Sequence, residues 1–170
     1  MDDKTKALTE GLMKAIQAEN YGRSFYLMAA GSTQDPKGQE VFRTLAEEEE
    51  EHAAFLRAHY DSVVRSGKLD ANASLGKQAE LSDGWPIFSD QLKGRIKDAG
   101  FEMTSLSIGI QLEQDAMTFY REQADRHDDP EVSKLFRFLS DWESGHYKAL
   151  LKQYDALKED YWSANGFSPF

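Results

Sequence analysis

The sequence predicts an all-α fold, a four-helix bundle built from two copies of one antiparallel helical hairpin. Three observations carry this expectation. Apolar residues recur at helical spacing over four long stretches, and proline and glycine are sparse within them. Two Asp-Pro pairs, Asp35-Pro36 and Asp129-Pro130, mark where the second and fourth stretches begin. Residues 16–63 also align without gaps onto 110–157, at a constant offset of 94.

The first helix is expected over about 4–30, ending at Gly31, and the second over about 36–66, ending at Gly67. The third spans about 101–127 and the fourth about 130–160. In helices two and four an aspartate supplies the N-cap. The proline after it takes the first helical position, where a missing N–H costs nothing. Short connections between helices one and two, and between three and four, require each pair to be an antiparallel hairpin.

The repeat is specific. Glu19 aligns with Glu113, Phe25-Tyr26 with Phe119-Tyr120, and Phe42-Arg43 with Phe136-Arg137. Glu49 aligns with Glu143, His52 with His146, and Tyr60-Asp61 with Tyr154-Asp155. One register kept through two helices and a turn identifies a duplicated hairpin. Residues 67–100 join the copies, with Gly-Trp-Pro at 84–86 and a short helix expected around 88–98. A helix of about 30 residues is roughly 45 Å long, so a link of this size can run the length of the bundle. Two hairpins joined by one long crossover is the ferritin-like arrangement. The whole chain, 1–170, then reads as a single domain with an aromatic tail at 161–170.

Composition narrows the function. With 170 residues the chain is long enough for one sizeable core. It has no cysteine, which excludes disulfides, zinc–thiolate sites, iron–sulfur clusters and thiol nucleophiles. A formal net charge of −10 argues against nucleic acid as a partner. No apolar run is long enough to span a membrane, and Met1-Asp2-Asp3-Lys4 opens no signal-peptide core. A cytoplasmic location is the expectation.

Each helix interrupts its apolar stripe with a glutamate: Glu19, Glu49, Glu113 and Glu143. In helices two and four a histidine follows three residues later, His52 and His146. Four buried carboxylates at one level repel one another and are costly to desolvate. Two divalent cations would balance them. Oxygen and imidazole donors suit iron, manganese or zinc. This ligand set, one Glu from each of two helices and Glu-x-x-His from each of the others, is that of dinuclear carboxylate bundles. Glu47, Glu48, Glu50 and Glu51 read as a solvated charge run. His59 and His127 have no repeat partners and read as non-ligands. Tyr26 and Tyr120 lie two turns beyond Glu19 and Glu113 on the same faces. They are either core aromatics or hydrogen-bond donors to ligand carboxylates.

Glu19…Phe25-Tyr26, Asp35-Pro36…Glu49-x-x-His52, Glu113…Phe119-Tyr120 and Glu143-x-x-His146 together resemble the rubrerythrin family of ferritin-like proteins. The resemblance covers both hairpins. It implies a centre of two iron ions that reacts with hydrogen peroxide or oxygen, often in a homodimer. It would make the chain an oxidoreductase of peroxidase or ferroxidase type. Glu49 and Glu143 are the candidate bridging ligands, with Glu19 and Glu113 terminal and one iron on each histidine. Rubrerythrins usually end in a cysteine-ligated rubredoxin domain. The absence of cysteine means that electrons must come from a separate donor. Ala116 stands where rubrerythrins carry a further glutamate, and the remaining six residues also fit bacterioferritin-like centres. Iron storage in a multisubunit cage and a metal-free helical interaction module remain as alternatives.

Overall fold

The structure is a computed structural model that describes residues 2–78 and 86–167. Five α-helices and no strand occur among the described residues. They are α1 (Asp3–Ser32), α2 (Pro36–Ser66), α3 (Asp90–Gly94), α4 (Gly100–Arg126) and α5 (Pro130–Ala164). A 3-10 turn, Ile96–Asp98, lies between α3 and α4. Helices α1 and α2 pack together as one hairpin and α4 and α5 as the other. The chain is a ferritin-like four-helix bundle of two hairpins joined by a long crossover. None of the helices in the described residues is long and apolar enough to cross a membrane.

Local chemistry sets the helix ends. Asp2, Asp35 and Asp129 accept from the backbone N–H groups of Thr5, Gly38 and Glu131, as N-caps do. Gly67 closes α2 at φ +73°, its N–H donating to the Val63 carbonyl. Glycine takes this left-handed conformation without steric cost. Two boundaries differ from expectation. Helix α1 passes through Gly31, and Thr33 ends it by donating to the Ala29 carbonyl. Helix α5 runs to Ala164 rather than about 160. The extension has a packing reason: Tyr161 joins an apolar cluster, and Asn165 Nδ2 donates to the Lys97 carbonyl. The first part of the aromatic tail is thus a helical clasp across the start of α4. Residues 168–170, Phe170 included, lie outside the described residues, as do Gly84 and Trp85.

Two apolar clusters fill the bundle. One gathers Tyr26, Phe42, Leu45, Leu106, Leu150 and Leu157. The other gathers Leu12, Leu56, Tyr120, Phe136, Leu139 and Val132. They are related by the repeat. Tyr26 stacks on Phe42 at 6.2 Å in one, and Tyr120 on Phe136 at 6.1 Å in the other. The hairpins are therefore related by an approximate twofold axis, with the polar residues of the repeat between the clusters.

The crossover is tied to both ends of α2. Near its start, the Asp70 N–H donates to His59 Nδ1 at 3.1 Å. Near its end, Phe88 packs on Gly38 and the Ser89 N–H donates to the Asp35 carboxylate at 3.1 Å. Gln153, the repeat counterpart of His59, accepts from the Ile87 N–H at 2.7 Å. The same alignment position thus anchors the crossover in both hairpins. Between these anchors Gln78 donates to the Trp142 carbonyl at 2.8 Å and lies over Gly145, where a Cβ would come within 2.5 Å of its side chain. The short helix expected around 88–98 is realised as α3 and the 3-10 turn.

Candidate metal centre

Helical periodicity aims one glutamate from each long helix, and one histidine from each of α2 and α5, into the middle of the bundle. Glu19, Glu49, Glu113 and Glu143 are all buried, and His52 and His146 have no exposed surface. Their ligating atoms fall into two groups. One is Glu19, Glu49, His52 and Glu143; the other is Glu49, Glu113, Glu143 and His146. Within each group the atoms lie within 4.8 Å of one another. Glu49 and Glu143 belong to both groups. The six residues singled out by the repeat are thus brought together, while His127 is placed elsewhere, stacked on Phe136. His59 is not in either group; it packs edge-on against Phe55 and accepts from the Asp70 N–H. No carboxylate from Asp115 joins the cluster; Asp115 instead accepts from Gln111 on the helix surface. Ala116 leaves its position in α4 without a ligating group.

Distances inside the cluster are short. His52 Nδ1 is 3.0 Å from Glu143 Oε1 and 3.3 Å from Glu19 Oε2. His146 Nδ1 is 3.1 Å from Glu143 Oε2, 3.6 Å from Glu113 and 3.7 Å from Glu49. The two imidazoles stack at 6.1 Å. Yet both oxygens of Glu143 and Nδ1 of His146 are buried without an aligned hydrogen bond. Such groups are expensive to bury unpaired. Close approach without hydrogen-bond alignment is what atoms arranged around a common cation would show. The donor set fits a divalent first-row metal of oxygen and nitrogen preference.

Electrostatics gives the same reading. Burial, followed by repulsion from Glu19 and Glu143, holds the Glu49 carboxyl well above the ordinary range. Burial raises Glu113 to about 7, opposed by the nearby His146. For His52 burial acts downward, but the closely approaching Glu143 charge and the contact with Glu19 outweigh it and raise the imidazole to about 10. His146 is raised as well, burial being outweighed by the Glu113 charge, the close approach of Glu143 and the hydrogen bond to Glu48. Glu143, buried between the two imidazoles, is nonetheless held below the usual carboxylate range by them. Without a metal, protons take the place of the missing positive charge.

The tyrosines hold the glutamates from the opposite hairpin. Tyr26 Oη donates to Glu113, and Tyr120 Oη donates to Glu19. Burial, together with the adjacent carboxylates, raises both phenols well above their ordinary value, so they remain donors. Sequence spacing places each tyrosine on the face of its own helix's glutamate. The bundle turns that face toward the neighbouring helix, where the other glutamate lies.

One participant contradicts the sequence reading. Glu48 is not a solvated member of the charge run: it is buried and accepts from Trp142 Nε1 at 3.1 Å and from His146 Nε2. Glu47, Glu50 and Glu51 are exposed as expected. A charge run hides such a residue, because periodicity alone leaves two adjacent positions competing for the inner face. The cluster is reached from outside through a cleft of about 390 Å³ between α1 and α4. Glu19, Glu49 and Glu113 line its floor, and Tyr21, Leu112 and Phe119 contribute to its walls. Its opening depends on small residues at equivalent repeat positions, Gly22 and Ala116. A Cβ at Gly22 would lie 3.2 Å from the Glu49 carboxylate.

Fold and site define a helical bundle with a buried carboxylate–histidine cluster able to hold metal. The family model for rubrerythrin matches residues 10–154, and the chain belongs to the rubrerythrin family. No functionally curated protein matches it. Among solved structures it is similar to a hypothetical protein from Pyrococcus furiosus, at 28% identity and a TM-score of 0.62. The similarity covers 89% of this chain and 90% of that one.

Proposed function

We propose that the chain is a non-haem di-iron oxidoreductase that reduces hydrogen peroxide or oxygen with electrons from a separate donor. The observation that carries this reading is the pair of overlapping ligand groups that share Glu49 and Glu143. Glu19 and His52 would complete one iron site, and Glu113 and His146 the other. Membership of the rubrerythrin family supports iron over manganese or zinc. Bound iron would supply the redox chemistry, which no side chain of this protein provides.

The chain's own part is positioning and shielding. Tyr26 and Tyr120 fix the carboxylates of Glu113 and Glu19. The apolar clusters at either end keep bulk water from the centre. The cleft between α1 and α4 offers an approach for a small oxidant, lined by three of the four glutamates. The sequence has no cysteine with which to hold a thiolate-ligated iron centre, and electron delivery is assigned to a separate donor.

Anaerobic loading with Fe(II) followed by rapid mixing with peroxide, and separately with oxygen, tests the proposal. Two irons per chain and oxidation faster than that of free Fe(II) are expected. Oxidation no faster than free iron with either oxidant would remove the oxidoreductase reading.

A further inference from the structure

The repeat that equates the two halves also shows where they differ. The residue just before the Glu-x-x-His motif is Glu48 in α2 and Trp142 in α5, at equivalent positions of the alignment. Each reaches across the bundle axis to the other hairpin's histidine. Glu48 accepts a hydrogen bond from His146 Nε2. Trp142 stands edge-on to His52, with ring centroids 5.2 Å apart and planes at 90°. The indole N–H of Trp142 donates to Glu48 at 3.1 Å, so the two divergent residues also hold each other.

The two imidazoles are therefore not equivalent. Both direct Nδ1 toward the carboxylates and Nε2 away from them. On His146 the outer nitrogen donates to a carboxylate, which fixes the tautomer that leaves the Nδ1 lone pair facing inward. That carboxylate also raises the basicity of the ring as a ligand and fixes its orientation. On His52 the outer nitrogen is buried with no hydrogen-bond partner among the described residues. Its ring packs edge-to-face with Trp142 instead.

We propose that Glu48 is a positioning residue that makes the two metal sites unequal. The site of Glu49, Glu113, Glu143 and His146 fills first and holds its metal more tightly, and the His52 site fills second. The inference rests on the dinuclear reading of the centre and adds an order of loading to it. A site that keeps one metal while the other exchanges differs in behaviour from one that loses both together. Loss of a carboxylate partner to a ligating histidine typically costs about 10–100-fold in metal affinity. A difference of that order is expected between the two sites.

The test is an anaerobic calorimetric titration of the metal-free, full-length protein with Co(II), which binds without redox chemistry. The wild type is expected to show two steps, separated by about tenfold or more. His146→Ala should abolish the tighter step and His52→Ala the weaker one. Glu48→Leu should weaken the first step by about 10–100-fold while leaving the second within a few-fold. Glu48→Gln keeps an acceptor for His146 in nearly the same volume, and should fall between the two. That graded rescue separates positioning of His146 from a general packing defect, which would weaken both steps alike. Two equal steps in the wild type, or an equal loss of both steps in Glu48→Gln, would overturn the inference and leave the dinuclear centre standing. No Co(II) binding by the wild type would overturn both.

Discussion

Tyr26 and Tyr120 show how much of the centre depends on single hydroxyl groups. Each donates to a buried carboxylate of the cluster on the opposite hairpin. Tyr26→Phe should lower metal affinity by about 10-fold or more through loosening of Glu113, and Tyr120→Phe should act likewise through Glu19. Competition against a chelator of known affinity reads both. Unchanged affinity would reduce the tyrosines to core aromatics. A second expectation follows from the raised groups. Glu113 is raised to about 7 and His52 to about 10, so the folded metal-free protein binds these protons more tightly than the unfolded chain does. Their stabilisation is present at low pH. It is lost from the ordinary glutamate range up through pH 7 for Glu113, and from the ordinary histidine range up through about 10 for His52. Urea denaturation of metal-free protein should therefore show stability falling between pH 5 and 9. A metal replaces those protons, so the loaded protein should show a flatter profile. Equal slopes for the two forms would mean that the cluster does not exchange protons for metal.

Among the elements, the N-termini of α2 and α5 offer a controlled comparison. Asp35 and Asp129 occupy equivalent positions and both cap a helix that begins with proline. Only Asp35 is buried, and only Asp35 also receives the N–H and hydroxyl of Ser89 from the end of the crossover. Asp129→Ala should cost about 1 kcal/mol, the ordinary worth of a cap. Asp35→Ala should cost more, on the order of 2–4 kcal/mol, because the crossover loses its landing point as well. Equal losses in urea denaturation would show that the crossover draws no support from this contact. The two caps were equally legible in the sequence, since Asp-Pro before an apolar stripe is a strong local signal. The difference between them was not legible, because it comes from a residue 54 positions away. Helix ends behaved in the same manner. Gly67, which must adopt positive φ, marked its boundary correctly, whereas Gly31, which faces no steric demand, did not.

At the scale of the whole molecule, stability and metal binding are one equilibrium. The four long helices converge on a cluster whose carboxylates repel one another, so the bundle is held together against its own centre. Metal that binds only the folded chain should raise the unfolding free energy by about 4 kcal/mol for each site at 1,000 times its dissociation constant. Thermal or urea unfolding with and without Co(II) measures this. A chain that unfolds identically in both conditions has no ordered metal site. The architecture itself was readable from sequence because duplication doubles every signal. A glutamate on an apolar face is weak alone, but the same glutamate 94 residues later, in the same register, identifies a position under one physical requirement. Glu48 escaped that logic because its counterpart is Trp142. Where the copies diverge, comparison between them falls silent, and only the packing of α2 against α5 reveals the pairing.

That divergence follows from the copies sharing one polypeptide. Were the bundle a homodimer of identical hairpins, any substitution would appear on both sides of the axis at once, and the two ions would be chemical twins. Covalent fusion lifts this constraint: each half can mutate independently, and a mirror-like cage becomes a pair of specialised berths. The Glu48–Trp142 contact is a trace of that freedom. Exchanging the two residues, Glu48→Trp with Trp142→Glu, should move the preference to the opposite ion without altering the number held.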